Sequence, residues 1–450
     1  MGKLPEGWKR VRLGDLGTFK TSSVDKKVNK DEKWVKLINY MDVYKHNFVD
    51  KSLELMDVTA NDHEIAVSRV KKGDILFTPS SETPDDIGHS GVVLGCPPNT
   101  LYSYHLMRLD IKGEIELDLK FRGYFCNYGG VLKEFARIST GVTRFTLCKS
   151  DFENTKVIIP SSFPEQHKIA DILETVDNAI ERTDTIIEKY KRIKQGLMQD
   201  LLTRGVVEND ELGVMNYELR DEKKHRFKDS PLGRIPEVWD VVELGEISFL
   251  KGRIGWHGLT TQEYLEYGKY YLITGVNFEN GKVLWESCYY VDKKRYEMDK
   301  NIQLKIKDVL VTKDGTIGKV SYIDKLPKKA TLGTGVFVLR PSNNTCYPRY
   351  LYYVLTSFIF NKFIENLRAG STISHLYQED FIFFNFPIPP PPEQHRIASI
   401  LSQIDETIEK EQKYKQKLER IKHGVMEDLL TGKVRVNHLI KEGMENVQTA

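Results

Sequence analysis

Residues 164–203 read PEQHKIADILETVDNAIERTDTIIEKYKRIKQGLMQDLLT, and residues 392–431 read PEQHRIASILSQIDETIEKEQKYKQKLERIKHGVMEDLLT. Aligned without gaps, 21 of these 40 positions are identical. In the first copy Ile169, Leu173, Val176, Ile180, Thr183, Ile187 and Tyr190 alternate by four and three, a heptad seam interrupted only by Thr183. In the second, Ile397, Leu401, Ile404 and Ile408 keep the same spacing. That seam weakens at Glu411 and resumes at Tyr414, Leu418, Ile421 and Val425, which reads as a stammer or a bend. Proline opens each segment (Pro164, Pro392) and glycine follows it (Gly205, Gly432), as helix punctuation requires. Each predicted helix is about 60 Å long. An amphipathic helix of that length needs cover for its apolar stripe. Its own duplicate is the simplest partner, and because the chain returns through other sequence between the copies, an antiparallel pair is predicted. Packing of each helix on its own neighbouring globule is the alternative.

Working outward, a second pair of matches precedes each copy. Leu4-Pro5-Glu6-Gly7-Trp8 recurs as Ile235-Pro236-Glu237-Val238-Trp239, and Leu13-Gly14 recurs as Leu244-Gly245. The period of roughly 230 residues is too long for a solenoid unit and describes a duplicated two-part module. The parts before the helices carry short apolar runs split by Gly, Asn, Asp and Pro. Examples are Asp74-Ile75-Leu76-Phe77, Lys156-Val157-Ile158-Ile159, Tyr270-Tyr271-Leu272-Ile273, Asp308-Val309-Leu310-Val311 and Gly335-Val336-Phe337-Val338-Leu339, all read as strands. A helical patch spans 350–367, so the globules are α+β. Residues 206–230 are polar and aperiodic and read as a linker, with the Lys223–Lys228 charge cluster as its solvated face. The predicted order is therefore a globule (1–160), a helix (161–205), a linker (206–230), a second globule (231–390), a second helix (391–432) and a tail (433–450).

At 450 residues the chain has room for two to four domains with cores of their own. A charged fraction of 29% is that of an ordered protein. No stretch approaches the roughly 18 apolar residues of a membrane span, and the first residues show no apolar signal region. The five cysteines (Cys96, Cys126, Cys148, Cys288, Cys346) are scattered and form no CxxC, which points to a reduced, cytoplasmic protein without a disulfide framework or zinc site. The net charge is +2. It divides unevenly: 24 Lys+Arg against 22 Asp+Glu in 1–160 and 20 against 17 in 231–390, but 7 against 9 in 161–208 and 7 against 8 in 391–432. Only the globules are candidates for phosphate contact, and their small excess predicts modest, salt-sensitive affinity shared with more basic partners.

Motifs for catalysis are missing. There is no GxGxxG opening a helix, no GxxxxGK[ST] and no Asn/Asp-Pro-Pro-aromatic element of an amino-methyltransferase. Asp314-Gly315-Thr316-Ile317-Gly318-Lys319 has the wrong glycine spacing for a phosphate loop, with Val320 in place of the magnesium-holding Ser/Thr, and reads as a tight turn between strands. Pro84-Asp85-Asp86 has nuclease-like carboxylates but no Glu-x-Lys strand after it. His167 and His395 stand at matching places in the first helical turn, without a recurring carboxylate or nucleophile beside them, and read as surface or helix-start contacts. The chain does not read as an enzyme on its own.

These residues carry a family likeness. The Pro-Glu-x-Trp and Leu-Gly pairs, Asp314–Val320, Gly370-Ser371-Thr372 and the two Pro-Glu-Gln-x-x-Ile-Ala helices ending Met-x-Asp-Leu-Leu-Thr, duplicated in this order, cover the whole chain. The chain resembles the specificity subunit of type I restriction-modification systems. Two departures are visible: Val238 stands where the first repeat has Gly7, and the first globule lacks a clear counterpart of the Gly-Thr-Ile-Gly-Lys turn. The resemblance implies that each globule is a target recognition domain reading one half of a split DNA sequence. It implies that the two long helices form an antiparallel coiled coil that sets the unread spacer and docks two copies of a methylation subunit. S-adenosylmethionine would be bound there, and an optional restriction subunit would bring ATP and magnesium. This chain itself would bind no cofactor or metal and have no catalytic residue.

Base and phosphate contacts need Arg, Lys, Asn, Gln, Ser or Thr at groove edges. Near the end of each globule lies a glycine-led polar turn, Gly141-Val142-Thr143-Arg144 and Gly370-Ser371-Thr372-Ile373-Ser374-His375, each glycine 19 residues before a matching proline (Pro160, Pro389). Thr143, Arg144, Ser371, Thr372 and His375 are thus candidates for DNA contact, with helix capping as the other reading. Lys313 and Lys319 flank the Gly-Thr-Ile-Gly turn as candidate phosphate partners. Lys293, Lys294 and Arg295, beside Tyr289, Tyr290 and Tyr296, suit backbone contact and stacking or an ordinary strand edge, whereas 124–128 reads as core. The competing function class is a coiled-coil adaptor whose globules bind something other than DNA.

Overall fold

The computed structural model describes residues 4–112, 115–209, 216–253, 259–342, 345–369 and 375–440. The chain divides into two compact units, Met1–Thr185 with Lys413–Ala450, and Ile186–Gln412. Each unit holds one globule, the first part of one long helix and the last part of the other. The long helices run from Phe163 to Thr203 and from Pro391 to Leu430, and Gly205 and Gly432 follow them in the left-handed region, at φ of 65° and 69°.

Within the first unit the helices are antiparallel: Lys422 Nζ lies 2.6 Å from Asp177 Oδ1, and Lys415 Nζ lies 2.7 Å from Asp184 Oδ1. In the second unit Lys194 Nζ meets Asp405 Oδ1 at 2.6 Å. The second helix is one element from Pro391 to Leu430, and its seam keeps the three-four spacing without the phase shift that a stammer would bring. Tyr414 and Ile421, expected in the seam, are 51% and 41% exposed. The seam instead runs on through Glu411, Lys415, Leu418, Lys422 and Val425, all at least half-buried. The lysine stems pack in the seam while their ammonium groups reach carboxylates on the opposite helix. Thr183 fits the first seam because its hydroxyl donates to Ala179 O at 2.8 Å, leaving no unpaired polar group.

The two globules share one plan. The first has a five-stranded sheet in the order Gly17–Thr21, Met107–Ile111, Ile75–Phe77, Ser90–Val93 and Phe48–Val49. The second has four strands in the matching order Ser248–Gly252, Val336–Pro341, Val309–Thr312 and Val320–Tyr322. Each adds a three-stranded sheet with one parallel and one antiparallel pairing: Met56–Ala60, Lys33–Ile38 and Thr100–Tyr102 in the first, and Tyr289–Val291, Tyr270–Ile273 and Lys329–Leu332 in the second. The tryptophan segment pairs antiparallel with the strand entering the long helix, Trp8 opposite Pro160 and Asp240 opposite Ile388. The helical patch expected over 350–367 is two helices, Pro348–Leu355 and Phe358–Ala369, parted at Thr356-Ser357.

Each core joins globule to helices. In the first unit Phe19, Phe77, Phe135 and Phe152 cluster with ring centroids 5.1–6.3 Å apart, and the same core takes in Ile169, Leu173, Met426 and Leu430. In the second, Phe360, Phe363, Phe381 and Phe384 play that part, with Met198, Leu202, Ile397 and Leu401 beneath. Both proposed ways of covering the apolar stripe are therefore in use.

The Pro-Glu-Gln motif explains why the helix starts are so alike. Gln166 Nε2 donates to Glu116 O and Pro160 O, while its Oε1 accepts from the Asp118 amide at 2.8 Å. Gln394 does the same with Thr345 O, Pro389 O and the Tyr347 amide. Glu165 is buried and receives Arg435; Glu393 is buried and receives Arg220, the Val206 amide and Trp239 Nε1. The described parts of the segment expected to be an aperiodic linker are folded: Val206–Asn209 pairs with Asn216–Leu219, Phe227–Ser230 pairs with Gly233–Pro236, and Arg220 is buried on Glu393. Residues 433–440 likewise pack, through Arg435 and buried Val436. His167 lies 3.0 Å from Asp118 and His395 stacks on Tyr347, both helix-start contacts.

Candidate nucleic-acid interface

In the second unit the strands Val309–Thr312 and Val320–Tyr322 are antiparallel, and residues 313–319 turn between them. The Thr312 amide donates to Lys319 O at 2.9 Å, the Gly318 amide donates to Thr312 O at 3.0 Å, and the Lys319 amide donates to Thr312 Oγ1 at 2.9 Å. Gly318 has φ of 86°, which a side chain would resist. The turn is further held from outside: Leu376 donates to Lys313 O at 2.8 Å and His375 Nδ1 sits 2.6 Å from Asp314 Oδ1. His375 is thus brought to the start of the turn beside Lys313, while Lys319 closes its far end. Lys319 is exposed, while the half-buried Lys313 lays its ammonium 5.4 Å over the Phe337 ring. An open cleft of about 460 Å³ beside them is lined by Lys251, Arg253, Lys313, Asp314, His375 and Tyr377, among others. Ser371 and Thr372 lie outside the described residues.

Lys293, Lys294 and Arg295 begin a short helix, Lys293–Glu297, directly after the strand Tyr289–Val291. Asp292 caps it by accepting from the Arg295 amide at 2.7 Å. Arg295 is engaged by Glu263, whose carboxyl is held below its ordinary range by the Thr260 amide and then by that guanidinium. Lys293 faces Glu297 at 3.7 Å, and Lys294 is exposed. Among the described residues no hydrogen bond or ion pair joins this helix to the 313–319 turn.

The first unit holds the counterpart that the sequence did not reveal. The Thr78 amide donates to His89 O at 2.9 Å and the Gly88 amide donates to Thr78 O at 3.0 Å, the same pair of bonds as at Thr312. Gly88, at φ of 82°, stands where Gly318 does, and His89 stands where Lys319 does. The turn has grown from residues 313–318 to residues 79–88, with Pro84–Asp86 as a short 3-10 helix in its middle. The Gly141 turn is fastened to it as Leu376 is to Lys313: Leu147 donates to Pro79 O at 2.8 Å. Thr140 and Thr146 exchange backbone bonds across that loop, leaving Thr143 and Arg144 exposed, with Arg144 Nη2 donating to Ser80 Oγ at 3.1 Å. Asp86 accepts from Tyr44 at 2.9 Å and lies 3.2 Å from His89 Nε2. Burial, and then the charge of Arg144, shift His105 below its ordinary value. Ser80, His89 and Tyr44 are candidate site residues that motif reading missed, and Asp86 was weighed there only against a nuclease pattern. The signal was present in Asp74-Ile75-Leu76-Phe77-Thr78 against Asp308-Val309-Leu310-Val311-Thr312, whose aspartates each accept from the amide three residues upstream, of Lys71 and Lys305, at 2.8 Å.

A turn built on one frame therefore displays Ser80, His89 and Arg144 in one unit and Lys313, Lys319 and His375 in the other. Such a chain carries two frames of one design with different polar groups at their turns. The family model for the type I restriction modification DNA specificity domain matches residues 5–192 and 236–420. The chain belongs to this family, and recognition of DNA sequence is what the family implies. It is 28% identical over 449 residues to the type I restriction enzyme MjaVIII specificity subunit of Methanocaldococcus jannaschii, covering 97% of this chain and 95% of that protein. Among solved structures, the type I restriction-modification S subunit from M. genitalium aligns with a TM-score of 0.53 at 16% identity, over 95% of this chain and 97% of that one. A chain from a structure concerned with complex assembly and conformational transition of the type I system aligns with a TM-score of 0.56 at 16% identity, over 96% and 100%. These two likenesses bear on the fold. Among the described residues no helix is long and apolar enough to cross a membrane.

Proposed function

We propose that this chain is the non-catalytic DNA-reading subunit of a type I restriction-modification complex, with each globule reading one half of a split target. The observation that carries this reading is the pair of equivalent turns. An asymmetric split site needs two readers of one build with different groups at their edges, as the Ser80–His89–Arg144 and Lys313–Lys319–His375 sets supply. The long helices would set the spacer between half-sites and dock two methylation subunits. S-adenosylmethionine would sit on those subunits, and ATP and magnesium on a restriction subunit where one joins. The unpaired cysteines suit a cytoplasmic setting.

The test is co-expression of the full chain with an adenine methylation subunit in a host free of adenine methylation, followed by methylome sequencing. The expected result is one motif with two defined halves and an unread gap of fixed length. A single continuous motif, or methylation without sequence preference, overturns the reading.

A further inference from the structure

What holds each globule on its helices is visible as the same arrangement made twice. In the first unit the Tyr124 hydroxyl donates to Asp177 Oδ2 at 2.9 Å, and Lys422 Nζ sits 2.6 Å from Asp177 Oδ1. In the second, the Tyr353 hydroxyl donates to Asp405 Oδ2 at 2.8 Å, and Lys194 Nζ sits 2.6 Å from Asp405 Oδ1. Asp177 and Asp405 occupy the same position of the repeat, as do Lys194 and Lys422. Each arrangement thus joins three separate parts: a tyrosine of the globule, an aspartate of one helix and a lysine of the antiparallel helix. The chain around the tyrosines differs, Phe121-Arg122-Gly123-Tyr124 against Tyr350-Leu351-Tyr352-Tyr353, yet the hydroxyl arrives at the same carboxylate.

The geometry suits a clamp. Each carboxylate uses one oxygen for the phenol and the other for the ammonium, so its direction is fixed from both sides. Both tyrosine rings are fully buried, and the aspartate and lysine side chains are between 20% and 27% exposed, where charge-assisted bonds are stronger than at the open surface. One turn upstream a second tie reaches the same helix, Lys120 to Glu174 at 2.6 Å in the first unit and Arg349 to Ser402 at 3.3 Å in the second. Two ties a helical turn apart resist a pivot that one alone would allow.

We infer that Tyr124–Asp177–Lys422 and Tyr353–Asp405–Lys194 are positioning clamps that hold each reader at one angle on its helix pair and thereby narrow the spacer length the chain accepts. This rests on the split-target reading above. The test uses the full chain co-expressed with the adenine methylation subunit, and methylome sequencing at half-site pairs whose spacer is the preferred length or one base pair, about 3.4 Å, shorter or longer. Tyr124→Phe and Lys422→Met should raise the ratio of off-length to preferred-length methylation about tenfold, leave the half-site bases unchanged, and be matched by Tyr353→Phe and Lys194→Met. Lys422→Arg should restore the narrow profile. If Tyr124→Phe does not fold, Lys422→Met in the outer seam decides. A fall in methylation at every spacer with an unchanged ratio marks a merely structural role and overturns the clamp alone. A wild-type chain without a split motif overturns the reading beneath it and the inference with it.

Discussion

Glu393→Gln tests the architecture most severely. The two carboxylate oxygens of Glu393 accept from the Val206 amide at 2.9 Å, from both terminal nitrogens of Arg220, and from Trp239 Nε1 at 3.0 Å. Every donor is fixed: Arg220 is itself buried and also bonds Arg204 O, and Trp239 is fully buried. Glutamine keeps the volume but offers one acceptor, and its amide hydrogens face the donors that the lost oxygen served. Breaking a buried ion pair from one side costs about 3–5 kcal/mol. For a unit of this size each kcal/mol moves the melting temperature by roughly 2–4 °C, so the second unit should melt roughly 6–20 °C earlier. Calorimetry with hydrogen exchange to assign the transition measures this. Glu165→Gln at the equivalent position should cost less, about 1–2 kcal/mol. Its partner Arg435 is 29% exposed and keeps a bond to Glu6 O, and Trp8 Nε1 makes no bond to it. Adding Arg220→Met to Glu393→Gln should return part of the loss by removing the stranded charge. A cost below about 1 kcal/mol for Glu393→Gln, or one no larger than that of Glu165→Gln, refutes the reasoning.

Lys319→Ala should weaken binding of the assembled complex to all DNA and lower the salt slope by about one, whereas Arg144→Ala should relax discrimination at one half-site by about 1–3 kcal/mol; titrations across salt and sequence separate them, and no change in either removes both from the interface. Burial raises the thiols of Cys96 to about 11 and of Cys288 and Cys346 to about 12, with Cys126 deeper still, so little thiolate exists on them at neutral pH. Exposed Cys148 should give the one fast equivalent with a thiol reagent, lost in Cys148→Ser; a second fast equivalent contradicts this burial. Inserting seven residues at matched points of both long helices keeps the seam in phase, adds about 10 Å, and should lengthen the preferred spacer by about three base pairs without altering the half-sites, as methylome mapping would report.

The long helices were legible because heptads and end signals are local properties of the chain. Their seam was only half legible: Lys415 and Lys422 break an apolar pattern, and only the opposite helix shows that Asp184 and Asp177 wait for them. The same limit hid the folding of 206–230, whose polar Arg220 is buried because Glu393 lies 173 residues away. At the candidate interface the short turn at 313–319 could be read, since two glycines punctuate it. Its counterpart at 79–88 could not, because the inserted 3-10 turn moves Gly88-His89 away from the expected spacing while the strands and their backbone bonds stay in place. Frames are conserved by hydrogen-bond register, which spacing in the sequence records only when the loop length is unchanged.

The charge distribution acquires a physical meaning from these pairings. The helices are slightly acidic, and several of their charges are consumed internally: Asp177, Asp184 and Asp405 by seam lysines, Glu165 and Glu393 by arginines. In the second globule Arg295 and Arg340 are likewise engaged, by Glu263 and Asp308. Among the described residues, the positive groups that remain exposed at the turns and at the short helix Lys293–Glu297 are chiefly Arg144, Lys319 and Lys294. Each phosphate neutralised contributes about 0.9 to the salt slope, so contacts made by these turn cations alone would give a shallow slope and little non-specific affinity. On the proposed function low background binding is an advantage, because the specificity ratio and not the bare affinity decides which site is held among many competitors. On this reading most of the salt dependence of the assembled complex comes from its partners. Lys319→Ala and Arg144→Ala should therefore alter which sequences are chosen, or a single unit of slope, and leave the larger electrostatic share of binding intact.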